Sequence, residues 1–244
     1  AHIRAMQACR PGMHEYELEA EYIYEYRRGG ARASYQPIVA GGANACILHY
    51  VTNDQPLEDG DLVLVDSGCE RDMYASDITR TFPVNGRFTE AQTELYEIVL
   101  EANVAATRAA VAGNHWNDPH DAAVKVITRG LRDLGILSGR LPQLLKDGAC
   151  RPYFMHKTGH WLGMDVHDVG DYKIDDDWRL LEPGKVMTIE PGIYIDDSTR
   201  RATRRWRGTG IRIEDDVVVT RDEPDVLTAK LPSTIEAIES LMSQ

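Results

Sequence analysis

The sequence predicts an α+β fold made of two pseudo-symmetric halves. Three observations carry that prediction. Apolar residues make up 43% of the 244 positions and charged residues 27%, which is ordinary for a globular chain able to bury a large core. Helix-like and strand-like patterns come in blocks (helix, strands, helix, helix, strands, helix) and do not alternate one by one, so α+β is favoured over a doubly wound parallel sheet. Finally, the stretch Leu57-Glu58-Asp59-Gly60, running through an apolar strand to Asp66-Ser67-Gly68, recurs 124 positions later (Leu57 to Leu181). The second copy is Leu181-Glu182-Pro183-Gly184, followed by an apolar strand to Glu190-Pro191-Gly192. A short period would mean a solenoid, whereas two copies at half length suggest two related halves packed together. A glycine turn before an apolar strand is a common pattern on its own; the matching carboxylates at the two strand ends are what argue for symmetry.

The elements follow in order. Residues 1–29 read as amphipathic helix, interrupted at Pro11-Gly12 and ended by Gly29-Gly30. Strand-like runs follow at Pro37 to Ala40, Cys46 to Val51, Leu62 to Asp66 and Asp77 to Phe82. Thr89 with Gln92 forms a capping-box pattern, and Leu95, Ile98, Val99, Ala102 and Ala106 continue it at helical spacing. A second helix starts near Asp118-Pro119, with proline early in its first turn, and runs through Val124, Ile127, Leu131 and Leu134. Strand-like runs return at Trp161 to His167, Lys185 to Glu190 and Ile211 to Thr220. Ser233 to Glu236 caps a short C-terminal helix.

Charge and composition exclude several function classes. Lys plus Arg number 27 and Asp plus Glu 39, a net charge of −12. That sign disfavours nucleic acid and anionic membrane as partners and suits a carboxylate-rich site for cations. No run of apolar residues is long enough for a transmembrane helix. Cys9, Cys46, Cys69 and Cys150 are widely spaced, so free thiols in a reducing, cytoplasmic compartment are expected. The first residues lack the apolar segment of a signal peptide. The missing initiator Met leads us to expect a piece of a longer protein.

The carboxylates attract attention because they end apolar runs. Leu62, Leu64 and Asp66 share one strand face, as do Arg212, Glu214 and Asp216. A half-buried acid is unfavourable unless paired or bound to a metal. Any one of them suits a salt bridge or a strand-end cap. Taken together, Asp66, Asp77, Glu190 and Glu214 fall two in each half, and symmetry would bring all four to one cavity. Two unit charges 4 Å apart repel by about 4 kcal/mol at an effective dielectric near 20, a conflict that divalent cations remove. Oxygen ligands plus an imidazole suit Mn²⁺, Co²⁺ or Zn²⁺. Candidate imidazoles are His49, His160 and His167. The last two would face opposite ways on one continuous strand, and a bend at Gly163 would re-aim them. His2, His14, His115, His120 and His156 stand in helical or loop contexts and are read as ordinary.

These residues resemble a known family. Cys46-Ile47-Leu48-His49-Tyr50, Asp61 to Gly68, Ser76 to Gly86, Gly159 to Gly170, Thr188 to Tyr194 and Gly210 to Asp216 are, as a set, similar to the catalytic domain of the bacterial Xaa-Pro aminopeptidases, within the pita-bread metallopeptidase superfamily. The resemblance implies a pita-bread α+β fold, with residues 1–244 forming the catalytic domain and the family's usual N-terminal domain absent. It implies two divalent ions, usually Mn²⁺. Asp77 and Glu214 would bridge them, Asp66 would hold one, and His160 with Glu190 the other. Glu190 would also be the general base, with His49 and His167 binding substrate and Arg212 fixing a metal carboxylate. The implied substrates are peptides with proline second, and a homo-oligomer is compatible with the family. A prolidase acting on Xaa-Pro dipeptides is the nearest alternative. Further ones are a methionine aminopeptidase, a creatinase-like metal-free hydrolase and a non-catalytic pita-bread binding module. Arg200, Arg201, Arg204, Arg205 and Arg207 crowd one loop, which reads either as a clamp for a substrate carboxylate or as a solvated loop that could serve as a subunit contact.

Overall fold

The structure is a computed structural model, and it describes residues 1–199 and 204–244. The first half opens with α1 (His2–Ala8) and α2 (Glu15–Arg28). It continues through β1 (Arg32–Ala33), β2 (Ile38–Gly41), β3 (Leu62–Asp66), β4 (Cys69–Arg71), β5 (Tyr74–Ala75) and β6 (Thr79–Pro83). The second half opens with α3 (Glu90–Ala109), α4 (Asp118–Asp133) and α5 (Leu141–Lys146). The strands β7 (Lys173–Ile174), β8 (Asp177–Trp178), β9 (Val186–Ile189), β10 (Gly192–Ile195), β11 (Thr209–Arg212), β12 (Asp215–Val218) and β13 (Asp225–Val226) follow, and α6 (Ile235–Met242) closes the chain.

Each half builds a small antiparallel sheet. In the first, β3 lies between β2 and β6, with Asp66 opposite Thr79. In the second, β12 lies between β9 and β13, with Asp215 opposite Ile189; β10 and β11 form a separate antiparallel pair. The repeated Leu-Glu-x-Gly segments are superposable in their bonding. Leu57 O accepts from Gly12 N (2.9 Å) and Leu181 O from Gly113 N (3.0 Å), while Leu57 N donates to Met13 O (2.7 Å) and Leu181 N to Asn114 O (2.8 Å). Gly60 and Gly184 both turn at φ +89°, a conformation that side chains resist. Burial is matched as well: Leu57 and Leu181 are fully enclosed.

The helices are built as their sequences indicate. Thr89 Oγ1 accepts from Gln92 N, and the Gln92 side chain returns the bond to Thr89 N. α3 presents Leu95, Val99, Ala102 and Ala106 to the core at helical spacing. Asn103 on the same helix faces the strands. Its Nδ2 donates to Ile189 O (3.1 Å), Ile213 O (3.2 Å) and Asp215 Oδ2 (3.2 Å), locking the helix onto the second-half sheet. The C-terminal helix is capped by Thr234, one residue beyond the expected Ser233. Among the described residues no helix is long and apolar enough to cross a membrane.

Three expected strands differ. Cys46 to Val51 is not a strand: residues 42–46 form a 3-10 turn and the chain then bends. The cause is Glu15, fully buried at the start of α2. Its carboxylate accepts from Gly41 N, Asn44 Nδ2, Tyr50 Oη and Gln55 N at 2.8–3.0 Å, wrapping the segment around one charge. Trp161 to His167 is not a strand either. Asp168 N donates to Trp161 O (3.0 Å) and Gly163 N to Asp165 O (3.2 Å), so the segment folds on itself, with one bridge between Trp161 and Met187. Ile211 to Thr220 splits at Ile213-Glu214, where the chain passes from β11 to β12.

Candidate metal centre

The two halves meet where β6 passes the residues that join β11 to β12. Glu214 N donates to Thr79 O (3.0 Å). Thr81 Oγ1 donates to Arg212 O (3.0 Å) and lies 3.1 Å from Arg212 N. Arg80 sits behind this seam with its side chain fully enclosed. Its guanidinium donates to Thr79 O (2.9 Å), Glu214 O (2.7 Å), Pro232 O (3.0 Å) and Asp215 Oδ1 (2.7 Å), so one cation ties both halves together. A cavity of about 540 Å³ lies behind it between α3 and residues 222–233, and its two buried charges, Arg80 and Asp215, already pair with each other.

In front of the seam is a cavity of about 370 Å³, lined by all eight residues singled out in the sequence: His49, Asp66, Asp77, His160, His167, Glu190, Arg212 and Glu214. Asp66 ends β3, Asp77 precedes β6, Glu190 follows β9 and Glu214 stands between β11 and β12. One oxygen each from Asp77 and Glu214 and one ring nitrogen of His160 lie within 4.8 Å of one another. His160 Nε2 is 3.3 Å from Asp77 Oδ2 and 3.7 Å from Glu190 Oε1. Its Nδ1 is 3.0 Å from the Trp161 carbonyl, which only accepts, so Nδ1–H donates there and Nε2 faces the carboxylates, holding a second proton that a cation would displace. Loss of that second proton leaves the tautomer a metal-ligating histidine needs.

The electrostatics show the strain of this grouping. Burial pushes the Asp66 carboxyl up to about 6, despite the opposing pull of Arg212. Burial likewise raises Glu190 to about 7, and Glu214 well above the carboxylate range, where Asp77 and Glu190 add repulsion. Burial alone would lower His160, but its hydrogen bond to Asp77 and the Glu190 charge hold it up, at about 9. A group of acids that draws protons this strongly is one that divalent cations would stabilise. The donor set therefore fits a pair of such ions: four carboxylates, one correctly oriented imidazole, and backbone that fixes them.

Supporting contacts hold each acid in place. The Tyr35 hydroxyl is 2.5 Å from both Asp66 Oδ1 and Asp77 Oδ1. Thr79 Oγ1 donates to Glu214 Oε2 (2.6 Å) and accepts from Arg212 Nε (3.2 Å). Arg212 reaches Asp66 Oδ2 (2.6 Å), the charge-assisted bond to a carboxylate expected of it. Asp77 N donates to Asp216 Oδ2 (3.3 Å). The bend at Gly163 brings the His160 and His167 rings to 4.0 Å between centroids, and His49 and His167 are exposed at the cavity.

Sequence reasoning passed over three participants. His156, read as ordinary, lines the cavity with Nδ1 3.6 Å from Glu190 Oε2. Burial lowers it to about 3, so the ring is neutral. Its Nδ1 donates to Lys157 O (2.7 Å) and its Nε2 accepts from Tyr194 Oη (2.8 Å), which itself accepts from Arg212 (2.9 Å). Tyr194 and Tyr35 are the other two. The available signal was the crowding of three histidines, His156, His160 and His167, into twelve residues. Of the arginine-rich loop, Arg200 and Arg201 lie outside the described residues. Arg204, Arg205 and Arg207 are not among the cavity-lining residues; Arg205 instead pairs with Glu94 and packs on Trp206 at 4.4 Å.

Comparison with known proteins agrees with this geometry. The sequence model of the metallopeptidase family M24 matches residues 1–221. The chain is 51% identical over 243 residues to the Xaa-Pro aminopeptidase of Haemophilus influenzae, covering 99% of this chain and 56% of that protein. Against the structure of aminopeptidase PepP from Pseudomonas aeruginosa, the TM-score is 0.98 at 57% identity, covering 99% of this chain and 55% of that one. Against zinc-substituted aminopeptidase P of Escherichia coli in complex with product, it is 0.96 at 51% identity, covering 99% and 55%. The chain thus spans about half the length of the relatives it matches. Its fold is the pita-bread fold, and the chain belongs to metallopeptidase family M24.

Proposed function

We propose that residues 1–244 are the catalytic part of a dinuclear metallopeptidase that releases an N-terminal residue from peptides with proline second. One observation carries this reading: Asp66 and Asp77 of the first half and His160, Glu190 and Glu214 of the second line one cavity, with His160 Nε2 turned inward. Asp77 and Glu214 would bridge two ions, Asp66 would complete one site, and His160 with Glu190 the other. The ions, when bound, supply a water of lowered pKa and polarise the scissile carbonyl. Mn²⁺ is the metal we favour on chemistry, with Co²⁺ and Zn²⁺ as competitors for the same ligands. The four free cysteines support a reducing, cytoplasmic setting.

The chain's own groups divide the remaining work. Glu190 takes the proton of the attacking water on a carboxylate oxygen and returns it to the departing proline nitrogen. His49 and His167, exposed in the cavity, bind the peptide and donate to the oxygen that gains charge. Arg212 holds Asp66 at its correct angle and, through Tyr194, keeps His156 in the tautomer that offers Nδ1–H beside Glu190. The free amine of the substrate is drawn to the acidic end of the cavity, which makes the enzyme an exopeptidase.

The test is turnover of Gly-Pro-Gly by the purified chain with Mn²⁺, before and after chelation. Turnover that chelation abolishes and Mn²⁺ restores supports the reading, and turnover unaffected by chelation overturns it. Faster cleavage of Gly-Pro than of Gly-Pro-Gly would reassign the chain to the dipeptidases.

A further inference from the structure

The cavity that would hold the substrate is dominated by acids, yet a short peptide carries a carboxylate at its other end. Asp66, Asp77, Glu190 and Glu214 repel such a group, and a substrate carboxylate is accepted only where a cation meets it. Among the described residues lining the cavity, the Lys and Arg side chains are Arg212 and Lys157. Arg212 is buried, with each of its three nitrogens bonded to Thr79, Tyr194 or Asp66. The arginine-rich loop, where it is described, lies away from the cavity, with Arg205 committed to Glu94.

Lys157 is different. Its side chain is exposed, and among the described residues no carboxylate is within ion-pair distance of its ammonium. Its backbone is fixed next to the candidate base. The Lys157 carbonyl accepts from His156 Nδ1 (2.7 Å), and the next residue's carbonyl, Thr158 O, accepts from Glu190 N (2.8 Å). The ammonium is also placed: it stands 5.3 Å from the centre of the Trp178 ring, which carries Lys173 at 4.7 Å as well. Trp178 belongs to the β7–β8 hairpin. Just before that hairpin, Tyr172 lines the cavity and stacks on Trp116 at 4.5 Å. The lysine is therefore tethered at both ends instead of sweeping through solvent.

We propose that Lys157 determines specificity by binding the C-terminal carboxylate of short peptide substrates. The inference rests on the function proposed above. A cavity of about 370 Å³ is small-ligand sized, so the carboxylate of a tripeptide stays near its wall, whereas a long peptide carries its carboxylate beyond reach.

The test compares kcat/KM for Gly-Pro-Gly as free acid and as C-terminal amide, using the Mn²⁺-loaded wild type, Lys157→Gln, Lys157→Arg and Lys157→Glu. Wild type should favour the acid by about fivefold, the scale of one solvent-accessible ion pair. Lys157→Gln should bring the ratio to about one through KM. Lys157→Arg should restore the preference and Lys157→Glu reverse it. High salt should shrink the wild-type ratio. If wild type turns over neither peptide, the proposed function itself fails. If wild type is active and the acid-to-amide ratio is the same in all four proteins, the function stands and the role of Lys157 is wrong.

Discussion

The two halves share a scaffold and differ in what they hang on it. Gly60 and Gly184 adopt the same φ of +89°, Leu57 and Leu181 are equally buried, and each Leu-Glu-x-Gly turn is bonded to the segment preceding an equivalent helix. Asp66 and Glu190 thus end equivalent strands. From there the halves diverge. The first supplies two aspartates, a tyrosine that bonds both, and the single imidazole of His49. The second inserts the long segment between α5 and β9, which brings His156, Lys157, His160, His167 and Tyr172 to the cavity. Symmetric backbone positions the charges, while the asymmetric insertion supplies the other three imidazoles, a cation and an aromatic wall. On the proposed function, metal binding would be a property of the pair, and substrate chemistry would draw mainly on the second half.

The largest expected effect tests that division at the two equivalent carboxylates. Glu190→Gln should lower kcat on Gly-Pro-Gly by about 10⁴-fold with the fold retained, since the proposed general base and metal ligand would be lost together. Asp66→Asn, its counterpart, should cost roughly 10²-fold, on the scale of lost metal positioning, and should be partly recovered by excess Mn²⁺. Equal, unrecoverable losses would show that the halves do not divide the work this way. Next is the seam. Arg80→Met removes the buried cation that binds both halves and strands Asp215 in the interior. Urea denaturation should show a loss of about 3–5 kcal/mol, and a loss below 1 kcal/mol would mean the halves hold together without it.

A pH effect reads one buried histidine of the first half. His2, buried in the first, bonds Ser67 O through Nε2 (3.0 Å) and Tyr22 through Nδ1 (3.1 Å), just behind Asp66. Burial lowers it from 6.5 to about 3. The unfolded chain thus binds a proton below pH 6.5 that the folded chain refuses until about pH 3, so stability must fall as pH drops through that window. Between pH 6.5 and 4 the loss is about 3 kcal/mol at 1.36 kcal/mol per pH unit. His2→Gln should flatten the pH dependence of the urea midpoint by that amount; an unchanged slope would contradict it. The smallest effect sharpens the symmetry itself. Gly60→Ala and Gly184→Ala meet no neighbouring atom and differ from wild type only in φ strain. Each should cost about 1 kcal/mol, and by the same amount within error. Unequal costs would break the equivalence of the two turns.

How much of this was readable in the sequence follows from where each signal lies. The repeated segment and the acids at its ends were legible because strand periodicity and a turn glycine are local features. Asp77 and Glu214 were legible for the same reason, each standing beside an apolar run. The segments 46–51 and 161–167 misled because their composition is strand-like, while their paths are set by a distant carboxylate, Glu15, and by a local fold-back at Gly163. Tyr35 and Tyr194 left no local signal and His156 only its crowding with His160 and His167, because their roles depend on partners 31–42 residues away (Tyr35 with Asp66 and Asp77, His156 with Tyr194). No short-range pattern encodes such pairs.

The central claim is that side chains from both halves hold a pair of divalent ions between them. Calorimetric titration of Mn²⁺ into the metal-depleted chain, checked by elemental analysis of the recovered protein, tests it most directly. The account predicts two ions per chain in the parent protein and loss of that stoichiometry in Asp77→Asn, whose aspartate would bridge them. A well-folded chain that takes up no metal, or an Asp77→Asn variant that still binds two ions, would contradict it.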